Sequence, residues 1–208
     1  YVPLPWCQSK CPYCDFNSYK LNNRLPVDKY LSALIVDLKK TLTFSNTSPE
    51  LKSIYFGGGT PNLFPPDFFE TLLCNIQEEC VFTDSVEITL EMNPGVGQQD
   101  NLEKYLGLGI NRLSIGAQTF STKILNNIGR LHSKGQTIQL YHNARKTGFQ
   151  NINLDLMFGL PEQTINEFNN DLKQLIDLNP EHISFYELTV EAGTFYYLQR
   201  PELPDHEI

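Results

Sequence analysis

The chain has 208 residues, 40% hydrophobic and 19% charged, enough apolar material for a packed core and too much for a disordered chain. Sixteen basic against 24 acidic residues leave a net charge of -8, which argues against duplex DNA or another bulk polyanion, so no nucleic-acid partner is expected. Apolar runs such as Leu34-Ile35-Val36 fall far short of the ~20 residues a membrane span needs, and no apolar leader opens the chain.

The first run, 1–5, reads as a strand, followed at once by Cys7, Cys11 and Cys14. A helix is predicted over 27–42, where Tyr30, Leu31, Leu34, Ile35 and Leu38 recur at helical spacing with charges opposite. A strand over 53–56 leads through Gly57-Gly58-Gly59-Thr60-Pro61 to a helix over 66–79, with Asp67 near its start. Then come a strand at 86–90, a helix at 100–106, a strand at 112–115 and helices at 121–127 and 134–146. A strand at 152–156, a helix at 165–175 closed by Asn179-Pro180, and a strand at 182–186 complete the series.

A parallel crossover needs a helix between its strands, so this alternation predicts an α/β fold with repeated βα units. Six units predict a partial (βα)6 barrel, since eight are needed to close one. Residues 1–190 read as one core domain and 191–208 as an exit segment toward a further C-terminal domain.

Five cysteines, an odd number, argue against a disulfide framework and for a reducing compartment, so a cytoplasmic location is expected. Cys74 and Cys80 read as packing residues. The other three follow the first strand, which in an α/β barrel puts them at the C-terminal mouth, where active sites assemble. A structural zinc site wants four ligands, and the next histidine is His132, more than a hundred residues on. Three thiolates fit better a cubane with one iron left open, under apolar cover from Trp6, Pro12, Tyr13 and Phe16.

The spacing C-x3-C-x2-C resembles the signature of radical S-adenosylmethionine (SAM) proteins. The resemblance implies that Cys7, Cys11 and Cys14 ligate a [4Fe-4S] cluster whose open iron chelates SAM. Gly57-Gly58-Gly59-Thr60-Pro61 matches the glycine segment that receives the methionyl amino group in those proteins. It is no Walker loop, because no Gly-Lys-Ser/Thr follows. Polar residues then recur at strand ends: Glu91, Gln118 and Asp155. Glu91 and Asp155 suit ribose hydroxyls, Gln118 suits SAM or a substrate, and Arg130 suits a carboxylate. His132 reads as a structural neighbour.

Six blocks narrow the likeness: Cys11-Pro12-Tyr13-Cys14-Asp15-Phe16-Asn17-Ser18, Tyr55-Phe56-Gly57-Gly58-Gly59-Thr60-Pro61, Glu91-Met92-Asn93-Pro94-Gly95, Asn111-Arg112-Leu113-Ser114-Ile115-Gly116-Ala117-Gln118, the block from Asn153 to Pro161, and Leu188-Thr189-Val190-Glu191. Together they resemble the heme-chaperone family and its sibling, the oxygen-independent coproporphyrinogen III dehydrogenases. The resemblance implies SAM contacts at Tyr1, Gly58, Gly59, Thr60 and Glu91. It adds Tyr13, Gln118, Arg130 and Asp155 at positions that hold SAM, including a second molecule, in the dehydrogenases. Phe16 separates the siblings, because the dehydrogenase pattern has a fourth cysteine at that position. The expectation is therefore a cytoplasmic protein that binds heme and passes it to an acceptor protein, with an electron donor as further partner. A porphyrinogen-oxidising enzyme is the second reading, and a zinc-stabilised barrel a third.

Overall fold

The computed structural model describes residues 1–45, 49–97 and 99–204. Along the chain run β1 (Val2–Leu4), β2 (Trp6–Cys7), β3 (Tyr19–Lys20), α1 (Val27–Ser45), β4 (Glu50–Gly58), α2 (Pro66–Glu79) and β5 (Val81–Met92). Next come α3 (Leu102–Gly107), β6 (Arg112–Gln118), α4 (Thr122–Asn127), α5 (Lys134–Thr147), β7 (Asn151–Phe158), α6 (Ile165–Leu178), β8 (His182–Glu187) and α7 (Phe195–Gln199).

Six strands form one sheet in the order β1-β4-β5-β6-β7-β8, every pair parallel. Each crossover steps to the next strand in the same direction. Right-handed crossovers taken always one way put all the helices on one face and curl the sheet as in a barrel. Among the described residues β1 and β8 pair with nothing further, so the barrel stays open, as expected for six units.

Two-residue alternation sorts the strands into two faces. Ile54 and Phe56, Ile88 and Leu90, Leu113 and Ile115, and Ile152, Leu154 and Leu156 are buried in one apolar core. That core includes Phe69 and Leu72 of α2, Tyr105 of α3, Leu140 of α5 and Leu175 of α6. The alternate residues, Tyr55, Glu91, Ser114, Asn153, Asp155, Ser184 and Tyr186, belong to the opposite, concave face. They bond one another across strands: Asn153 Nδ2 reaches Ser114 Oγ (2.8 Å), Asp155 Oδ1 (2.7 Å) and Ser184 Oγ (3.0 Å). An apolar outside layer and a hydrogen-bonded inside layer give the sheet a polar trough that opens at the strand ends.

The helix ends follow their local chemistry. Capping boxes start α5 (Ser133 with Gln136) and α6 (Thr164 with Glu167), each cap worth about 1 kcal/mol. Left-handed Gly148 and Asn179 close the same two helices.

The structure adds to or differs from the sequence expectation at several places. β4 and β5 begin earlier, at Glu50 and Val81, and pair from their first residues, with a register shift between Leu51 and Ser53. Cys80 is buried in the core, as a packing residue should be, but Cys74 is exposed on α2 and packs nothing apolar away. Within the segment read as an exit, α7 packs back, with Thr194 and Tyr196 buried; residues 205–208 lie outside the described residues.

Candidate cluster and cofactor site

The cysteine loop is closed at its base by β2 and β3, which pair Trp6 with Tyr19 and Cys7 with Lys20. Tyr19 N–H donates to the Pro5 carbonyl and Leu21 N–H to that of Cys7, each at 2.7 Å. Inside the loop, Cys14 N–H donates to the Cys11 carbonyl (3.2 Å), and Lys10 Nζ ties the Phe16 and Ser18 carbonyls (3.0 and 3.1 Å). From outside, Tyr196 N–H donates to the Pro12 carbonyl (2.9 Å), and the Trp6 ring packs edge-on against Tyr30, centroids 4.6 Å apart. Tyr13 leans on a second apolar cluster made by Ile124, Ile128, Met157, Leu160, Leu188 and Tyr196.

Cys7, Cys11 and Cys14 are all free and partly buried. Burial pushes the Cys14 thiol up; the Phe16 backbone and the Ser18 hydroxyl work against this, and the Cys11 and Cys7 thiols add to it. Among the described residues no three His, Cys, Asp or Glu side chains close on a single ion. A cubane asks for thiolates spread over several irons, and the three cysteines of this loop fit that donor set.

The glycine segment lies against this loop. β1 pairs Pro3 with Gly57 and Leu4 with Gly58. Gly58 has φ +103°, closed to most side chains, and a β-carbon on Gly59 would stand 2.6 Å from the Leu4 carbonyl oxygen and 2.8 Å from that of Trp6. Thr60, buried, donates its N–H to Trp6 O at 2.8 Å. Glu91 crosses from the neighbouring strand: Oε1 accepts from Tyr55 OH and Oε2 from Gly58 N–H, both at 2.9 Å. Burial raises the Glu91 carboxyl above its ordinary range, against the pull of those two donors. Tyr1 is exposed, its ring 6.0 Å from that of Tyr55 and its hydroxyl over Gly58.

Gln118, Arg130, Asp155 and Tyr13 form the other wall. Gln118 is buried at a register shift and held at φ +65°, unusual for a residue with a side chain, and its Oε1 accepts from Tyr186 OH at 2.8 Å. Asp155 takes bonds from Asn153 and Ser114, and burial raises its carboxyl. Burial raises the Tyr13 phenol too, with the Arg130 charge opposing, and Cys11 and Tyr186 lie close enough to add to the shift. His132 is buried behind this wall with Nε2 3.3 Å from the Ala117 carbonyl, a structural neighbour. The cleft between loop and wall, lined by Cys11, Thr60, Asn93, Arg130 and His132, has a volume of ≈ 30 Å³, room for a water molecule and not for a nucleoside.

The polar strand-end residues thus converge on one mouth. Glu91 and Gln118 sit within β5 and β6 rather than after them. Tyr55, Asn93 and Tyr186 belong to the site and were missed. Asn93 stands two residues from Glu91, and Tyr55 two before Gly57, both at strand alternation; Tyr186 carries no local signal, because only the pairing of β8 with β7 brings it to the mouth.

A parallel, open βα sheet with a three-thiol loop after its first strand and a glycine cradle after its second defines a class, and residues 1–175 match the description "Radical SAM superfamily". The chain belongs to that superfamily. Its particular likeness is to proteins named heme chaperone HemW. That of Haemophilus influenzae is 41% identical over 210 residues, covering 100% of this chain and 55% of its own length. Those of Escherichia coli (41%, 100% and 54%) and Bacillus subtilis (38%, 95% and 52%) are similar. The chain therefore spans about half the length of these relatives. Among solved structures, coproporphyrinogen III oxidase (HemN) from Escherichia coli, described as a radical SAM enzyme, superposes with a TM-score of 0.89 at 28% identity, covering 100% of this chain and 48% of that one.

Proposed function

We propose that this chain is the cluster- and SAM-binding core of a heme chaperone, a protein that holds heme and hands it to an acceptor protein in the cytoplasm. Cys7, Cys11 and Cys14 hold the [4Fe-4S] cluster, which when bound supplies an open iron for SAM and a source of single electrons. Gly58 and Gly59 let SAM approach the backbone, and Glu91, Tyr1 and Thr60 present oxygen atoms around it. Tyr13, Gln118, Arg130 and Asp155 close the far side, and an electron donor completes the partners. Free thiols throughout the described chain support a reducing compartment. No described helix is long and apolar enough to cross a membrane.

The observation that carries the chaperone reading is Phe16. It stands 59% exposed on the cluster loop, an unreactive ring where the dehydrogenase pattern has a thiol. The likeness to HemN supports the second reading, an oxygen-independent coproporphyrinogen III dehydrogenase.

Two assays on the full-length protein, reconstituted anaerobically, separate them. One follows heme transfer to an apo-acceptor, the other conversion of coproporphyrinogen III with SAM and a reductant. Heme transfer without conversion is expected. Sustained conversion with no heme retained would replace the chaperone reading with the second.

A further inference from the structure

Arg130 is held from three sides. Nη2 donates to Asn93 Oδ1 and, at 3.0 Å, to the Gly116 carbonyl, while Nη1 faces the Cys11 sulfur at 3.9 Å. Asn93 is itself fixed, its Nδ2 donating to Thr60 Oγ1 (2.9 Å) and its N–H to Asn62 Oδ1 (3.1 Å). Gly129, at φ +73°, lays this loop on the cysteine loop so closely that a β-carbon there would meet Pro12 Cδ at 2.7 Å. The guanidinium is therefore aimed at Cys11 by three separate parts of the chain.

Among the described residues its charge has no carboxylate partner at ion-pair distance. The ion pairs of the described residues are Lys39–Glu79, Lys123–Glu162 and Arg145–Glu181, and Asp155 feels Arg130 without reaching ion-pair distance. An arginine stays protonated at any ordinary pH, and a partly buried cation with only neutral hydrogen-bond partners is costly. The group it faces that becomes anionic on binding iron is the Cys11 sulfur.

We infer that Arg130 is a positioning residue for the metal centre, its charge offsetting that of the thiolates and setting the centre's reduction potential. The inference rests on the reading of Cys7, Cys11 and Cys14 as cluster ligands. Adding one electron adds one negative charge to a centre already made anionic by three thiolates, and a fixed cation beside one sulfur favours that step. Hydrogen bonds and charge near the sulfurs are established levers on such potentials. This role differs from holding a SAM carboxylate in one measurable way: it acts with no SAM present.

The test is a reductive titration with dithionite, followed by EPR, of the anaerobically reconstituted full-length protein without SAM. Arg130→Gln should retain its iron and disfavour the reduced state on the order of ten-fold, a downward shift of ~59 mV for one electron. Arg130→Lys should recover most of the loss. Asn93→Asp, nearly isosteric, places a carboxylate against Nη2 and should lower the potential with Arg130 intact. Should Arg130→Gln fail to take up iron, Asn93→Asp decides alone. A parent potential in Arg130→Gln at full iron content, or in an iron-loaded Asn93→Asp when the first does not load, overturns the inference. A parent protein that takes up no iron refutes the cluster reading instead.

Discussion

Replacing Gly59 by Ala tests whether the second strand and the cysteine loop are as closely coupled as the geometry says. The backbone at Gly59 is one an alanine can adopt, so no cost arises from φ. The cost is contact, since the new β-carbon falls 2.6 Å from Leu4 O, 2.8 Å from Trp6 O and 2.9 Å from Pro5 C. These are backbone atoms, which cannot turn away as a side-chain end would. Overpacking of this kind costs about 1–3 kcal/mol. Moving Trp6 also strains the Thr60-to-Trp6 hydrogen bond, worth about 0.5–1.5 kcal/mol, so a total of about 2–4 kcal/mol is expected. Gly107→Ala is the control, because it ends α3 with nothing within 4 Å of its would-be β-carbon and should be neutral or stabilising by up to about 1 kcal/mol. Urea denaturation of both variants without metal gives the stabilities, and iron uptake on reconstitution reports whether Cys7, one residue past Trp6, has moved. Equal stability of Gly59→Ala and the parent, with full iron uptake, would refute the reasoning.

Alanine at Cys7, Cys11 or Cys14 should abolish the iron centre, whereas Cys74→Ala and Cys80→Ala should not; reconstitution is expected to load about four irons per chain, and stoichiometric zinc without iron uptake would contradict this. Glu91→Ala removes an acceptor whose charge-assisted bonds are worth roughly 1.5–3 kcal/mol, so SAM affinity should fall on the order of ten- to a hundred-fold; an unchanged response of the EPR spectrum to SAM counts against it. Burial, with the Arg130 charge adding, lowers the His132 imidazole to about 4. The unfolded chain, at ~6.5, therefore binds this proton first, and stability is lost as pH falls from about 6.5 toward 4, on the order of 3 kcal/mol for the full shift. His132→Gln, which keeps a donor for the Ala117 carbonyl, should flatten that part of the curve in the metal-free protein; parallel curves would rule the assignment out.

The strand ends were legible because the chemistry there is dense: a cysteine triplet, a glycine run and isolated polar residues ending apolar strands. The two-residue pair of β2 and β3 was not, since Trp6, Cys7, Tyr19 and Lys20 carry no alternation and are joined only by the closing of the loop. The starts of β4 and β5 were hidden by Glu50, Lys52, Asp84 and Ser85, which break the apolar pattern where the two strands extend toward their N-terminal ends. α7 was missed because Thr194, its N-cap, precedes only five helical residues, and the one it buries, Tyr196, packs with the distant Ile124, Ile128, Met157, Leu160 and Leu188. Tyr186 illustrates the limit most clearly, since its partner Gln118 lies 68 residues away and only the sheet order joins them.

The cysteine loop is completed by residues that lie far along the chain from it. The arginine facing Cys11 comes 119 residues after it, and the amide that bonds the Pro12 carbonyl belongs to Tyr196. At a synthesis rate of ~5–20 residues per second, the gap between Cys14 and Tyr196 amounts to roughly 10–35 s during which the thiols lack their protein cover. Iron loaded in that interval would meet a loop without its supporting wall, and oxidants would meet three neighbouring thiols. The order of the chain thus leaves the three thiols without that cover until Tyr196 has been made, and makes the reducing strength of the surroundings matter most in that interval.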